Sequence, residues 1–152
     1  MVAAQRKPLL PPVYLLASIG VMIALDILLP ARRVLSFPWT LVGLAPLLAG
    51  AALNIAADRA FKRHATTVKP FAPSTSLVTE GVFKLSRNPM YLGMILILLG
   101  VTLLLGALTP FGVCVAFAFL MRYRFVRVEE RMLAETFGAE WQRYSARVRR
   151  WV

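Results

Sequence analysis

The chain has 152 residues, 59% of them hydrophobic, and carries 18 Lys+Arg against 7 Asp+Glu, a formal net charge of +11. Soluble domains of this size are close to half apolar, whereas the excess here lies in long runs, with a mean hydropathy of +0.67, and points to lipid. The length excludes a membrane bundle joined to a separate soluble catalytic domain, and the single cysteine, Cys114, excludes an intrachain disulfide.

A helix needs ~20 apolar residues to cross a bilayer core. The segment Met1–Pro12 carries Arg6 and Lys7 and leads into a first apolar run, about 13–29, stopped by Pro30 and Arg32-Arg33. No small-residue cleavage site follows it, so it reads as an uncleaved span rather than a signal peptide. The second run, about 39–57, ends at Asp58-Arg59. Next comes a polar segment, 58–89, in which Pro70, Pro73, Ser74, Thr75 and Ser76 argue against a helix. Val68, Phe71, Leu77, Val78, Val82 and Phe83 give it apolar anchors, so a loop over Ala65–Glu80 is expected to fold over a site.

Pro89 suits the first turn of a helix, where its missing N–H costs nothing, and Asn88 is placed to cap it. The third run, about 90–108, is joined to the fourth, about 111–123, through Gly106-Ala107-Leu108-Thr109-Pro110. Gly and Pro mark a tight turn there, so an antiparallel hairpin is expected. Arg122 and Arg124 end the fourth run early, but long basic side chains snorkel, and the helix should continue into an amphipathic helix from near Val126. Gly138 then reads as a C-terminal cap after Phe137, followed by a second short helix over Ala139–Val148.

The fold class expected is an all-α membrane protein forming one domain over 1–152. About four transmembrane helices are followed by C-terminal helices. Fourteen of the 18 Lys and Arg lie in 58–89 and in the portion from Arg122 onward, and the hairpin turn has none. The positive-inside rule then places both termini in the cytoplasm, together with the segments 58–89 and 124–152. The positive charge flanks apolar runs and is accompanied by no zinc-finger spacing or aromatic-rich RNA-binding strand, so the expected partner is the bilayer and not nucleic acid.

Polar chemistry must sit in those two segments. His64 is the only histidine; with no second His or nearby Cys, no metal site is expected. Arg87 and Tyr91, four residues apart, stand at the membrane mouth of the third helix. The positive end of the helix dipole plus Arg87 makes an anion site; snorkelling and interfacial anchoring would use the same residue types. Glu129 and Glu130 project about 100° apart on a helix, so one faces inward. A carboxylate held near the bilayer needs a cationic partner or a cationic ligand, and Arg124, Arg127 and Arg131 are within sequence reach.

Taken together, Gly81, Phe83, Arg87-Asn88-Pro89-Met90-Tyr91-Leu92-Gly93, the paired Glu129-Glu130, Phe137-Gly138, Trp141 and Tyr144 resemble the isoprenylcysteine carboxyl methyltransferase and phospholipid methyltransferase group of membrane enzymes. Thr66-Thr67-Val68-Lys69-Pro70 and Pro73-Ser74-Thr75 with Leu77-Val78-Thr79 look like its bacterial branch, which implies a bacterial inner membrane. The resemblance covers roughly His64–Tyr144. Asn88 stands where many members have His, which takes away any proton-transfer role at that position.

The resemblance implies S-adenosylmethionine as methyl donor, with S-adenosylhomocysteine as product, and a lipophilic or small apolar acceptor: a prenylcysteine-like carboxylate, a phospholipid amine or a thiol. It implies Glu130, Arg87 and Tyr144 at the chemistry, and Gly81, Phe83, Arg87, Asn88, Pro89, Tyr91, Glu129 and Glu130 around the cofactor. No Gly-x-Gly-x-x-Gly loop is present, so no Rossmann-type site is expected. The chemistry fits: Arg87 and helix N–H groups suit the carboxylate, Glu129 or Glu130 suits the ammonium or the ribose, and Tyr91, Phe83 or Trp141 suits the adenine or the sulfonium. Two other readings remain. One is an NADPH-dependent membrane reductase of the sterol reductase type, with Arg143, Arg147, Arg149 and Arg150 on the phosphates; the other is a non-catalytic membrane scaffold.

Overall fold

The computed structural model describes residues 9–29, 32–64 and 75–152. Helix α1 spans Pro11–Leu28, α2 Leu44–Arg63, α3 Pro89–Leu105, α4 Thr109–Met121 and α5 Arg127–Arg147. Among the described residues there is no strand, only an isolated bridge between Arg33 and Ala107. The described residues are therefore all-helical in their regular structure, and among them two stretches, Pro11–Leu28 and Trp39–Arg63, are long and apolar enough to cross a membrane. Helix α3 is a shorter apolar helix of 17 residues.

Local chemistry explains where the helices begin and end. Prolines occupy the first turns of α1, α3 and α4, where no N–H partner is required. Trp39–Gly43 forms a 3-10 turn before α2. Helix α2 continues past Ala57 to Arg63, beyond the expected boundary. Asp58 pairs with Lys62 one turn on at 2.6 Å, and Lys62 and Arg63 stand in the last turn, where cations complement the helix dipole. Helix α4 passes into α5 through a π-helical turn, Arg122–Val126. Gly138 adopts φ 46°, ψ −115° within α5, a backbone conformation that favours glycine. The chain therefore kinks there before the short helical stretch that ends at Arg147.

One expectation needs correction. Asn88 does occupy the N-cap position of α3, but its side chain makes no capping hydrogen bond. Its amide is spent on Glu130 and on the Arg150 carbonyl instead. The apolar-anchored loop expected over Ala65–Glu80 lies outside the described residues for 65–74, as do the Thr66–Pro70 motif, Pro73-Ser74, Arg6, Lys7 and Pro30.

Helices α2 and α3 approach closely along glycines. A Cβ on Gly43 would lie 2.5 Å from the Gly100 carbonyl oxygen, and one on Gly93 would overlap the Asn54 side chain. Small residues let helix backbones touch where lipid offers no hydrophobic drive to hold them together. A core of Met22, Tyr91, Met94, Leu98, Phe117, Met121 and Phe125 joins α1, α3, α4 and the π-helical turn, with the Tyr14 ring edge-on to Phe125 at 5.7 Å. A second cluster sets Ala57 of α2 against Val78 and Phe83 of the segment before α3. Leu16, Ile27, Leu48, Ile55 and Phe119 are exposed outside these cores, as expected for faces solvated by lipid rather than water.

The connections sort the helix ends into two groups. The Val34 and Leu35 N–H groups donate to the Gly106 carbonyl at 2.8 and 3.1 Å, so the segment before α2 meets the end of α3. At the opposite ends, Phe61 of α2 packs on Phe83 with ring centroids 5.1 Å apart. The start of α1, the end of α2, the start of α3 and α5 converge there, and the polar residues singled out from sequence gather with them.

Candidate functional site

The short segment 81–88 builds one wall. Gly81 has φ +58° and, among the described residues, no neighbour within reach of a Cβ; its left-handed backbone turns the chain into the 3-10 turn Gly81–Lys84. That turn delivers Phe83 to the buried cluster, and the Tyr144 hydroxyl donates to the Phe83 carbonyl at 2.7 Å. Ser86, fully buried, accepts the Asn88 N–H at 3.1 Å and donates to the Arg150 carbonyl at 3.1 Å. The Arg87 N–H donates to the Arg149 carbonyl at 3.0 Å. Backbone and hydroxyl bonds thus fix both neighbours of Arg87 and set where its side chain leaves the backbone.

A cavity of about 250 Å³ lies at this end, walled by Leu10, Pro11 and Pro12 of α1, Phe61 of α2, Phe83, and Arg87 through Tyr91, with Met94 and Glu129 completing it. Its walls are mostly apolar, with a guanidinium and a carboxylate among them, the usual constitution of a small-ligand pocket. Glu129 is hydrogen-bonded by the Tyr91 hydroxyl at 2.6 Å and has no ion pair among the described residues. Burial pushes its carboxyl up to about 7, partly opposed by the hydrogen bond from Tyr91.

Glu130 lies in a different setting. Arg150 grips it as a fork: Nε reaches both carboxylate oxygens at 3.0 Å and Nη2 reaches Oε2 at 2.6 Å. Asn88 Nδ2 donates to Oε1 at 3.2 Å. Arg87 comes only to 3.6 Å of the same oxygen, outside hydrogen-bond range. Its guanidinium sits over the Trp141 ring, 5.7 Å from the centroid, and its buried Nε has no hydrogen-bond partner among the described residues. A cation with unspent donors and a carboxylate without a cationic partner therefore line one apolar cavity.

Of the residues singled out from sequence, Phe83, Arg87, Asn88, Pro89, Tyr91 and Glu129 line that cavity. Glu130 and Tyr144, expected at the chemistry, are bonded beside it, to Arg150 and to the Phe83 carbonyl; the Tyr144 hydroxyl is pushed up to about 12, by burial above all. Gly81 shapes the backbone. The cation hydrogen-bonded to Glu130 is Arg150, with Arg87 standing off at 3.6 Å, and not Arg124, Arg127 or Arg131, because the segment after α5 folds back over residues 86–88. Ser86 and Trp151 were not legible as part of this region. Trp151 packs against the main core, and a tryptophan beside two arginines after a helical stretch was the available signal. Among the described residues no group of His, Cys, Asp and Glu is arranged to hold a metal.

The family described as phospholipid methyltransferase matches residues 39–140, about two thirds of the chain and all of the segment from α2 to the kink in α5. An uncharacterized protein of Haemophilus influenzae is 42% identical over 64 residues, which is 41% of this chain and 100% of that protein. No solved structure matches.

Proposed function

The chain belongs to the phospholipid methyltransferase family, and from that premise we propose that it is an integral membrane methyltransferase using S-adenosylmethionine and acting on a lipophilic or small apolar acceptor. The observation that carries this reading is the pairing of Arg87 and Glu129 on one apolar cavity. That pair complements a ligand bearing a carboxylate, an ammonium and a flat apolar ring system. The Arg87 guanidinium on the cavity wall suits the carboxylate through charge-assisted hydrogen bonds. Glu129 suits the ammonium, and Phe61, Phe83 and Tyr91 offer aromatic surface to a purine.

When bound, S-adenosylmethionine supplies an electrophilic methyl group on a sulfonium. The protein's part is to hold, orient and dry the site. Trp141 lies under Arg87, its ring centroid 5.7 Å from the guanidinium, and offers it a cation–π contact. Tyr91 directs one oxygen of Glu129, so the other is open to a cation. The apolar walls exclude water from the reacting centre, which strengthens each charge contact and aligns donor with acceptor. Glu130, Asn88 and Tyr144 hold these groups in place. In this reading α1, α2, α3 and α4 are four spans, α3 and α4 form a tight hairpin, and both termini lie in the cytoplasm of a bacterial inner membrane. The charge asymmetry of the loops and the shared end of the helices support that arrangement. The start of α1 stands on the cavity wall, and a membrane acceptor would approach past it from lipid.

A reductase reading requires free arginines for the NADPH phosphates, and Arg150 is engaged with Glu130; it is not favoured. The test is transfer of a labelled methyl group from S-adenosylmethionine into a membrane lipid extract and a panel of thiols and amines, with products identified by mass. Labelled product that disappears in Arg87→Ala supports the proposal; absence of any methylated product across the panel opposes it.

A further inference from the structure

The structure brings Arg150 to Glu130 across 20 residues, and the functional reading gives this contact no task. The carboxylate of Glu130 has about four acceptor positions. Arg150 covers both oxygens with two N–H donors, Nε–H shared between them at 3.0 Å each and Nη2 on Oε2 at 2.6 Å, and Asn88 adds a bond to Oε1 at 3.2 Å. Arg87, on the same side and only 16% exposed, stops at 3.6 Å from Oε1. Its Nε remains buried, with no hydrogen-bond partner among the described residues. Two arginines compete for one carboxylate, and the closer one holds both of its oxygens.

We propose that Arg150 is a positioning residue: by holding both oxygens of Glu130 it prevents that carboxylate from capturing Arg87 and keeps the Arg87 guanidinium available for the carboxylate of the bound cofactor. The proposal rests on the methyltransferase reading. Its physical content is a competition. Without the fork, the nearest strong acceptor for Arg87 is Glu130, and an ion pair made inside the protein must be broken before an anionic ligand is bound. The position of Arg150 is itself fixed by the segment that carries Arg87. The Arg150 carbonyl accepts from the Ser86 hydroxyl at 3.1 Å and from the Asn88 amide at 3.3 Å, and the Arg149 carbonyl accepts the Arg87 N–H at 3.0 Å. Trp151 anchors the far side of the turn in the core. Residues 86–88 and 149–151 thus form one clamp with two arginines of separate duty, one spent and one held in reserve.

The fork geometry sets the expectation for a lysine in this place. An ammonium is a point donor and cannot span both oxygens of a carboxylate, so it leaves an acceptor position open for Arg87.

The experiment is calorimetric titration of the full chain in detergent with S-adenosylhomocysteine and, separately, with 5′-methylthioadenosine, which keeps the nucleoside and thioether but lacks the ammonium and carboxylate. In Arg150→Ala, affinity for S-adenosylhomocysteine is expected to fall by roughly tenfold or more, the scale of a charge-assisted contact, while affinity for 5′-methylthioadenosine stays unchanged. Arg150→Lys should fall between. The double variant Arg150→Ala/Glu130→Gln should recover affinity for S-adenosylhomocysteine, because the competing charge is gone. A general structural role predicts equal loss for both ligands and no recovery in the double variant, and either result overturns the proposal. Unaltered S-adenosylhomocysteine affinity in Arg150→Lys and Arg150→Ala also overturns it. If the wild-type protein binds neither ligand, the methyltransferase reading fails first; a wild-type protein that binds both while the variants lose them equally refutes the positioning role alone.

Discussion

Replacing Glu129 by Gln should stabilise the ligand-free protein at alkaline pH while removing its hold on a cation. Burial pushes the Glu129 carboxyl from 4.5 up to about 7. At ~1.4 kcal/mol per pH unit, that interval sets about 3 kcal/mol against the ionised form once the pH exceeds 7. Because the folded value lies above the ordinary one, the stability associated with this proton is fully present below pH 4.5 and is lost as the pH rises through about 7. Gln keeps an acceptor for the Tyr91 hydroxyl, and the value of about 7 already includes what that bond returns to the ionised form. The gain is about 3 kcal/mol at pH 8.5 and none at pH 4.5, or a rise of ~6–12 °C in Tm at the higher pH for a chain of this size. Thermal unfolding in one detergent, with wild type and variant compared at the two pH values, measures it. A variant that is less stable than wild type by the same margin at both would refute the reasoning, because it would mean that Glu129 is ionised and satisfied in the ligand-free state.

Other consequences are equally direct. Affinity for S-adenosylhomocysteine should strengthen as pH rises from 6 to 8, since the ionised form of Glu129 is the one that receives an ammonium; pH-dependent titration with proton release checks it. Tyr91→Phe removes the hydrogen bond that opposes the burial effect on Glu129, so the midpoint of that profile should move to higher pH. Arg87→Ala should cost about 10- to 100-fold in S-adenosylhomocysteine affinity, from the loss of charge-assisted contacts worth about 1.5–3 kcal/mol, with folded yield in detergent unchanged. Gly93→Val should lower Tm or abolish folded yield, because even a Cβ at Gly93 overlaps Asn54 and the Gly50 carbonyl and overpacking costs about 1–3 kcal/mol.

The parts of the fold that were legible in sequence are those with local causes. Prolines at helix starts, Gly106 and Gly138 at breaks and the length of the apolar runs are all signals within a few residues, and each marks a feature of the structure. The extension of α2 to Arg63 was missed because its polar end suggested a boundary, whereas the Asp58–Lys62 pair supports continued helix. At the site, the residue types were legible but their partners were not. Helix phase separates Glu129 from Glu130 by about 100° but does not say which of them meets Tyr91. That depends on how α5 is rotated against α3, and on the segment 148–151 returning to residues 86–88 across some 60 positions. Asn88 shows the same limit. Its N-cap position is local information, yet the carboxylate and carbonyl that draw its amide away from the helix are brought by distant chain.

The most direct test of the central claim, that Arg87 and Glu129 enclose the amino-acid end of a nucleoside cofactor, is calorimetric titration of the purified, folded protein with S-adenosylhomocysteine at pH 8. Saturable binding of one molecule per chain, weakened by Arg87→Ala and by Glu129→Gln, is the predicted result. No measurable heat with wild type, or identical binding by wild type and both variants, would contradict it.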